Sequence, residues 1–147
     1  TGNYSPGGEP SYEAAAGKRV LSESTAVILT KYMEKAVREG TGMNAALDFY
    51  SVAGKTGTAQ KLDRGSGSYS AQSHISSFMG FFPPEQPLLS IIAVIDDPQG
   101  GFYGSEVAAP LYRKAASAIT RYLGYPSGGS SVQKIFAYNK KTENDAY

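Results

Sequence analysis

The segment from residue 52 to residue 60 constrains the fold of this chain more than any other. It reads Val-Ala-Gly-Lys-Thr-Gly-Thr-Ala-Gln, so Lys55, Thr56, Gly57 and Thr58 bring together a cation, two hydroxyls and a residue without a side chain. In a strand, alternate side chains share a face: Thr56 and Thr58 lie together, and the Lys55 stem would have to reach round the strand edge. This combination is typical of the wall of an anion-binding, acyl-transfer cleft.

The Gly-Lys-Thr triplet that begins at Gly54 is also found at the end of phosphate-binding P-loops. That pattern requires a glycine five residues earlier, and this position is Phe49. Residues 49–53 contain no glycine and are typical of an entering strand, and the residues after Lys55 do not open a helix. The P-loop interpretation therefore fails, and we do not expect nucleotide binding.

Composition narrows the chemistry that the chain can perform. Its 147 residues suit one domain, and a formal net charge of +1 gives no general attraction to nucleic acid. The sequence has no cysteine and a single histidine, which excludes a disulfide framework, a thiolate metal site and a histidine-rich metal centre. We expect no metal and no cofactor, and no apolar run approaches the ~20 residues of a membrane span. Hydroxyls, lysines, carboxylates and backbone groups remain as chemical tools.

Hydrophobic periodicity and capping residues predict two helices and three strands. A helix of about 17 residues follows the N-cap Ser22 and ends at Gly40 to Gly42, and a second helix runs from Pro110, as its first residue, to about Leu123. The first strand carries Lys55. The second strand is predicted over residues 74–82, after a polar hairpin loop over residues 61–73. The third strand is predicted over residues 88–95. Because it is almost continuously apolar, we expect it to be covered on both faces.

This order predicts an α+β fold, in which an antiparallel sheet of three consecutive strands is covered by helices. The sequence also resembles the C-terminal part of the transpeptidase domain of class B penicillin-binding proteins, over roughly residues 20–126. Five motifs in the same order carry the resemblance: Gly40 to Gly42, Val52 to Gln60, Ser77 to Pro83, Val94 to Pro98 and Gly104 to Pro110. We expect residues 1–19 to form a loop-rich lead-in and residues 127–147 a polar, flexible tail.

The resemblance also shows which motifs of the superfamily this chain lacks. Its members carry Ser-x-x-Lys and Ser-x-Asn motifs upstream of the Lys-Thr-Gly strand. Here Ser-x-x-Lys occurs only from Ser131 to Lys134, in the tail and downstream of that strand, so we interpret it as accidental; Ser-x-Asn does not occur. We expect the nucleophilic serine on the remainder of the same transpeptidase domain, in a separate fragment or chain, and no activity from this chain alone.

The resemblance implies a role for each residue of the motif. Lys55 and Thr58 are the implied catalytic residues: Lys55 supports the hydroxyl of the Ser-x-Asn serine, and the Thr58 N–H is one oxyanion-hole donor. Thr56, Gly57 and Thr58 are the implied substrate-binding residues. The two threonine hydroxyls would hydrogen-bond the terminal carboxylate of a D-alanyl-D-alanine stem peptide or of a β-lactam, and Gly57 would leave room where the strand packs.

The implied function is that of a peptidoglycan D,D-transpeptidase, which cross-links stem peptides through a serine ester and is acylated by β-lactams. Its expected location is the bacterial cell envelope, at the outer face of the cytoplasmic membrane, with cell-division or elongation proteins as partners. Two alternatives stay open. One is a non-catalytic penicillin-recognising sensor or interaction domain of the same fold, and the other is a D,D-carboxypeptidase or β-lactamase relative.

Other polar and aromatic residues have simpler interpretations. His74, at the start of the second strand, is typical of a structural residue more than of a general base. Asp96 and Asp97 precede a proline at a strand end, so we interpret them as turn formers and not as a carboxylate pair or metal site. Phe102 and Tyr103 lie in a glycine-rich loop that either borders the cleft or shields the sheet.

Overall fold

The structure is a computed structural model that describes residues 17–124 of the chain. Most of the predicted lead-in and all of the predicted tail lie outside the described residues. In chain order, the elements are helix α1, a short 3-10 helix, strands β1, β2 and β3, and helix α2, with the bounds Glu23–Glu39, Met43–Ala45, Ala53–Asp63, Ser68–Phe82, Leu89–Asp96 and Ala108–Tyr122. Among these residues, no helix is long and apolar enough to cross a lipid bilayer.

Helix α1 begins and ends where its capping residues predict. The Ser22 hydroxyl accepts a hydrogen bond from the Thr25 N–H at 3.1 Å and so caps the first turn. At the other end, the Gly40 and Gly42 N–H groups both donate to the Ala36 carbonyl, at 3.1 and 3.0 Å. A Cβ atom on either glycine would lie 3.0–3.1 Å from that carbonyl oxygen. Both glycines therefore suit the close approach of the chain to its own helix, where a Cβ atom would be tightly packed.

The three strands form an antiparallel sheet in the order β1-β2-β3. This arrangement confirms the predicted fold class. The register places Thr56, Phe78 and Ala93 in one cross-strand row, and Lys55 lies in the adjacent row, which continues through β2 to Ile92 on β3. Alternate rows face opposite sides of the sheet, so the hydroxyl of Thr56 is on the face that carries buried Phe78. Strand β1 is an edge strand of the described sheet.

Two predicted boundaries near β1 are wrong. Residues 49–53 are not an entering strand, because β1 begins at Ala53. The predicted loop over residues 61–73 is largely strand: β1 continues to Asp63, and β2 begins at Ser68. The polar, glycine- and serine-rich composition reflects a hairpin arm that is mostly solvent-exposed, where polar side chains are compatible with strand pairing.

The hairpin turn itself occupies only residues 64–67. The Asp63 carboxylate accepts hydrogen bonds from the Gly65 N–H and the Ser66 hydroxyl, both at 2.9 Å. These bonds, the one from the Gly65 N–H first, lower the pKa of Asp63. Gly67 has φ +69°, a left-handed conformation that glycine adopts without strain. The turn is therefore fixed by one carboxylate and one glycine.

The prediction that β3 is covered on both faces is wrong for the part of the chain that the structure describes. Burial alternates along β3, with Ala93 buried while Ile92 and Val94 are 62% and 53% exposed. Met79, which pairs with Ile92, is 52% exposed on the same face. One face of the sheet packs on α2, and the other presents an apolar surface to solvent.

Helix α2 covers the buried face through small residues and one large aromatic ring. Ala108, Ala109 and Ala116 are fully buried, and their small side chains let the helix approach the sheet closely. The Tyr112 ring packs against the Phe78 ring with 4.7 Å between centroids. Pro110 is the third residue of the helix instead of the predicted first. It is tolerated there because N–H groups of the first turn have no intrahelical partner.

The Tyr112 hydroxyl is buried under α2 without a hydrogen-bond partner among the described residues. A Cβ atom on Gly80 would lie 3.1 Å from this oxygen, so the opposing strand leaves space only for glycine. Burial raises the pKa of Tyr112 far above its ordinary value. The ring therefore stabilises the core while its polar atom carries a desolvation cost.

We predict that Tyr112→Phe in the complete domain raises the free energy of unfolding by about 1 kcal/mol, because it removes a buried hydroxyl that lacks a partner. Tyr112→Ala should lower it by about 3 to 5 kcal/mol through loss of the ring. Denaturant titration of both variants checks the pair of expectations. A loss of ~1 kcal/mol or more in the phenylalanine variant would show that the hydroxyl is hydrogen-bonded.

Candidate active site

Strand β1 brings the lysine head and the first threonine hydroxyl together. Lys55 Nζ donates hydrogen bonds to the Thr56 carbonyl oxygen at 2.9 Å and to Thr56 Oγ1 at 3.2 Å. The backbone of Lys55 lies in the row that faces the uncovered side of the sheet, whereas the Thr56 hydroxyl is on the other face. The lysine stem therefore does reach round the strand to the hydroxyl side, as alternation requires.

The Thr56 hydroxyl is also held from outside the sheet. Its oxygen lies 3.0 Å from the hydroxyl oxygen of Thr41, in the loop that follows α1. Either hydroxyl can donate in this contact. Together, the ammonium of Lys55 and the hydroxyls of Thr56 and Thr41 form one hydrogen-bonded group that connects the end of α1 to β1.

The second threonine hydroxyl is bound by the loop between β3 and α2. Thr58 Oγ1 accepts a hydrogen bond from the Gly104 N–H at 3.0 Å. A threonine hydroxyl can donate one hydrogen bond and accept two, so its proton stays available for an acceptor outside the protein. Because Thr58 is solvent-exposed, this hydroxyl can meet an anion such as a carboxylate.

Glycines allow the strand and the loop to pack closely around these hydroxyls. A Cβ atom on Gly57 would lie 2.5 Å from Ser77 Oγ, which is consistent with the expected room at this position. A Cβ atom on Gly54 would lie 2.4 Å from the Phe78 ring, and one on Gly104 would lie 2.5 Å from two backbone oxygens. Because these glycines carry no side chain, their neighbours can pack directly against the backbone at these positions.

The loop of residues 97–107 borders the site and also shields the sheet. Ser76 Oγ donates to the Phe102 carbonyl, and Asn44 Nδ2 donates to the Ser105 carbonyl at 2.8 Å, so the loop is tied to both β2 and the short 3-10 helix. The rings of Phe102 and Tyr103 pack together, with centroids 4.5 Å apart. Phe102 covers the sheet, whereas the following residues, up to Gly104, approach β1.

His74 is structural. It is buried, and its ring stacks on Phe102 with 4.2 Å between centroids. Its backbone N–H donates to Asp97 Oδ1 at 3.2 Å, and its carbonyl accepts from the Asp97 N–H at 2.9 Å. His74 pairs with Gln60, five residues along β1 from Lys55. This packing supports the interpretation of His74 as a structural residue.

Of the two predicted turn formers, Asp96 is the last residue of β3, and only Asp97 lies in the bend that follows the strand. Asp97 has φ +52°, a left-handed conformation that aspartate tolerates better than most residues. Lys61 Nζ lies 2.7 Å from an Asp96 carboxylate oxygen and 3.5 Å from one of Asp97. The hydrogen bond that Lys61 donates to the Asp96 carboxylate is the main cause that raises the pKa of Lys61. Among residues 17–124, no cluster of histidine, aspartate or glutamate could hold a metal ion.

Two grooves in the described part of the chain lie away from these hydroxyls. One, of about 350 Å³, is lined by α1 and the segment before β1, and the other, of about 390 Å³, lies between α1 and the turn after β2. Lys55, Thr56 and Thr58 line neither groove. Because Lys55 and Thr58 are solvent-exposed and Thr56 is half-buried, these residues form an open wall in the described part of the chain.

Comparison with known proteins shows the family to which this chain belongs. The family model described as the penicillin binding protein transpeptidase domain matches residues 11–117. The chain belongs to this family. Its resemblance to class B penicillin-binding proteins is thereby confirmed, and the boundaries expected for the lead-in and the tail stay predictions.

Curated relatives and solved structures agree with this assignment. The chain is 38% identical over 125 residues to stage V sporulation protein D of Bacillus subtilis, covering 84% of this chain and 19% of that protein. It is 36% identical over 109 residues to the peptidoglycan D,D-transpeptidase FtsI homolog of Chlorokybus atmophyticus, covering 74% of this chain and 16% of that protein. The chain thus spans a fifth or less of these two relatives.

Two solved structures share the fold. The apo transpeptidase domain of Burkholderia pseudomallei penicillin-binding protein 3 matches with a TM-score of 0.66 and 33% identity, covering 77% of this chain and 34% of that chain. Penicillin-binding protein 3 of Mycobacterium tuberculosis, complexed with aztreonam, matches with a TM-score of 0.66 and 28% identity, covering 86% of this chain and 30% of that one. The present chain therefore corresponds to about a third of each solved chain.

Two site contacts are not evident from the sequence. The Thr41 and Gly104 contacts join loops that are 15 and 46 residues from their partners on β1. From the sequence, Gly40 to Gly42 are predicted to end α1 and to carry part of the resemblance, whereas Gly104 to Pro110 only carry part of the resemblance. The sequence signals for these contacts are two short glycine-containing segments, one at the end of α1 and one that leads into α2.

We predict that Gly104→Ala in the complete domain lowers the free energy of unfolding by about 1 to 3 kcal/mol, because the new Cβ meets backbone oxygens that cannot move cheaply. Gly101→Ala is the matched control in the same loop. Its Cβ would lie 3.2 Å from the flexible end of Glu106, so a change within about 0.5 kcal/mol is expected. Equal losses in both variants, measured by thermal unfolding, would contradict the assigned packing.

Proposed function

We propose that this chain forms one wall of a peptidoglycan D,D-transpeptidase active site and that the rest of the transpeptidase domain carries the nucleophilic serine. The observation that carries the proposal is the arrangement on the edge strand β1. There, a lysine ammonium and two threonine hydroxyls are held in place by hydrogen bonds to neighbouring groups, in a chain that belongs to the transpeptidase family. An anionic ligand can approach this wall from solvent.

In the proposed reaction, the serine oxygen attacks the carbonyl carbon of the penultimate D-alanine of a stem peptide. The peptide bond to the terminal D-alanine breaks, that residue leaves as the free amino acid, and a serine ester remains. An amine of a second stem peptide then attacks the ester, which forms the cross-link and restores the serine. A β-lactam would acylate the same serine by opening of its ring.

Each residue of the wall has a defined part in this proposal. The Lys55 ammonium supplies positive potential next to the substrate carboxylate and to the serine of the Ser-x-Asn motif. The Thr58 hydroxyl, which already accepts the Gly104 N–H, donates its proton to that carboxylate. Thr56 orients the lysine head, Gly57 leaves room beside it, and the Thr58 N–H serves as an oxyanion-hole donor at the open edge of the sheet.

The uncovered face of the sheet supports the proposed partner. Met79, Ile92 and Val94 are each more than half exposed, and the first two lie in the same cross-strand row as Lys55. Contiguous apolar surface of this kind marks an interface. The rest of the transpeptidase domain, packed on this face, would bury these side chains.

We propose a location in the bacterial cell envelope, at the outer face of the cytoplasmic membrane, and a partnership with proteins of cell division or elongation. The names of two relatives, a stage V sporulation protein and a peptidoglycan D,D-transpeptidase FtsI homolog, support a role in building the cell wall. Stem peptides and β-lactams are the small partners of the site.

We predict one covalent adduct per complete domain after incubation with a penicillin, located on the part that precedes this chain. Lys55→Ala should slow acylation by about 100-fold, since it removes the main cation of the wall, and Thr58→Ala by about 10-fold, since it removes one charge-assisted hydrogen bond. Lys114→Ala, a lysine removal on the exposed side of α2, is the control and should leave the rate unchanged. Intact mass spectrometry over time gives all four rates.

Other outcomes separate the alternatives. No adduct on a folded, complete domain would favour a non-catalytic module of the same fold. An adduct, together with release of D-alanine from a stem-peptide analogue but no cross-linked product in the presence of an acceptor amine, would favour a D,D-carboxypeptidase. Normal acylation of both the Lys55 and Thr58 variants would contradict the site assignment.

A further inference from the structure

The loop after α1 contributes a side chain to the wall that the motif does not contain. Thr41 Oγ1 lies 3.0 Å from Thr56 Oγ1, which in turn accepts a hydrogen bond from Lys55 Nζ at 3.2 Å. An ammonium group can only donate, so the direction of the lysine bond is fixed. The Thr56 oxygen is therefore a junction between the lysine head and the helix end.

The position of Thr41 is built into the chain on both sides. The Gly40 and Gly42 N–H groups, on either side of Thr41, both donate to the Ala36 carbonyl and so fix the end of the helix. A Cβ atom on Gly42 would lie 3.1 Å from the Val37 backbone and side chain, and Val37 belongs to the buried core. The loop thus has little freedom, and Thr41 is presented to β1 from a fixed base.

The second contact restricts the rotation of the Thr56 side chain. Threonine is β-branched and has few preferred rotamers, and the Thr41 contact favours the one that directs Oγ1 toward the loop. Whichever of the two hydroxyls donates, Thr56 Oγ1 keeps a lone pair for Lys55. Without Thr41, that oxygen could turn to solvent, and the lysine would lose one of its two acceptors.

We infer that Thr41 is a positioning residue of the active site, one that holds the Thr56 hydroxyl and, through it, the ammonium of Lys55. The inference rests on the proposed function, because it assigns a partner to the lysine of that site. Thr41 touches neither the substrate nor the serine in this scheme. It determines where the charge of the wall is located.

Thr41 is also exposed, which separates this role from simple packing. Removal of an exposed hydroxyl from a loop changes the free energy of unfolding by no more than about 0.5 kcal/mol. A positioning residue, in contrast, changes the acylation rate while the stability of the domain stays the same. Stability and rate therefore report on different roles for the same side chain.

The test uses the complete domain and a fluorescent penicillin, with the second-order acylation rate constant and the melting temperature measured for each variant. Thr41→Val should reduce the rate constant about 10-fold, and Thr41→Ser, which keeps the hydroxyl, should stay within about threefold of the unsubstituted domain. Thr120→Val is the matched control: its hydroxyl bonds helix carbonyls of α2 at 3.0 Å and should not affect the rate.

A double substitution tests whether Thr41 acts through Thr56. If it does, Thr41→Val combined with Thr56→Val should be no slower than Thr56→Val alone, because the junction is already lost. Additive losses, a normal rate in Thr41→Val, or failure of Thr41→Ser to retain the rate would each overturn the inference. These results leave the proposed function intact, whereas absence of acylation in the unsubstituted domain would overturn both.

Discussion

The close pairing of β1 with β2 is the constraint on which the rest of the structure depends. Gly54 and Gly80 lie opposite each other, and a side chain on either would meet the Phe78 ring, at 2.4 and 2.9 Å. This space lets Phe78 fill the centre of the core, where it packs on Tyr112 of α2. The same pairing sets the register that places Lys55 and the threonine hydroxyls on opposite faces of one strand.

The site depends on groups that are far from the motif in the sequence. The lysine and the two threonines supply the chemistry, but a helix end and a loop before α2 determine where the hydroxyls point, through the contacts of Thr41 and Gly104. A hydrogen bond from Asn44 to the Ser105 carbonyl joins these two supports to each other. A change in either support would therefore alter the wall without altering its motif.

Much of the fold could be predicted from the sequence because local signals decide it. Ser22 and the glycines after α1 act through contacts within a few residues, and their interpretation is confirmed. The prediction of a loop over residues 61–73 is wrong because the composition of this segment reports solvent exposure, which strands on a sheet arm share with loops. Thr41 and Gly104 could not be assigned as supports, because their contacts exist only after β1, α1 and the 97–107 loop have packed.

The error at β3 has a different cause. Its almost continuous apolar pattern is typical of a strand buried on both faces, yet Ile92 and Val94 are exposed in the described structure. The pattern and the exposure are compatible if the uncovered face is an interface. The solved relatives also favour an interface, because this chain spans only about a third of each of them. The row that contains Ile92 and Met79 ends at Lys55. Packing on that face would therefore also desolvate the base of the lysine stem, whereas the ammonium stays with the Thr56 hydroxyl on the other side of the strand.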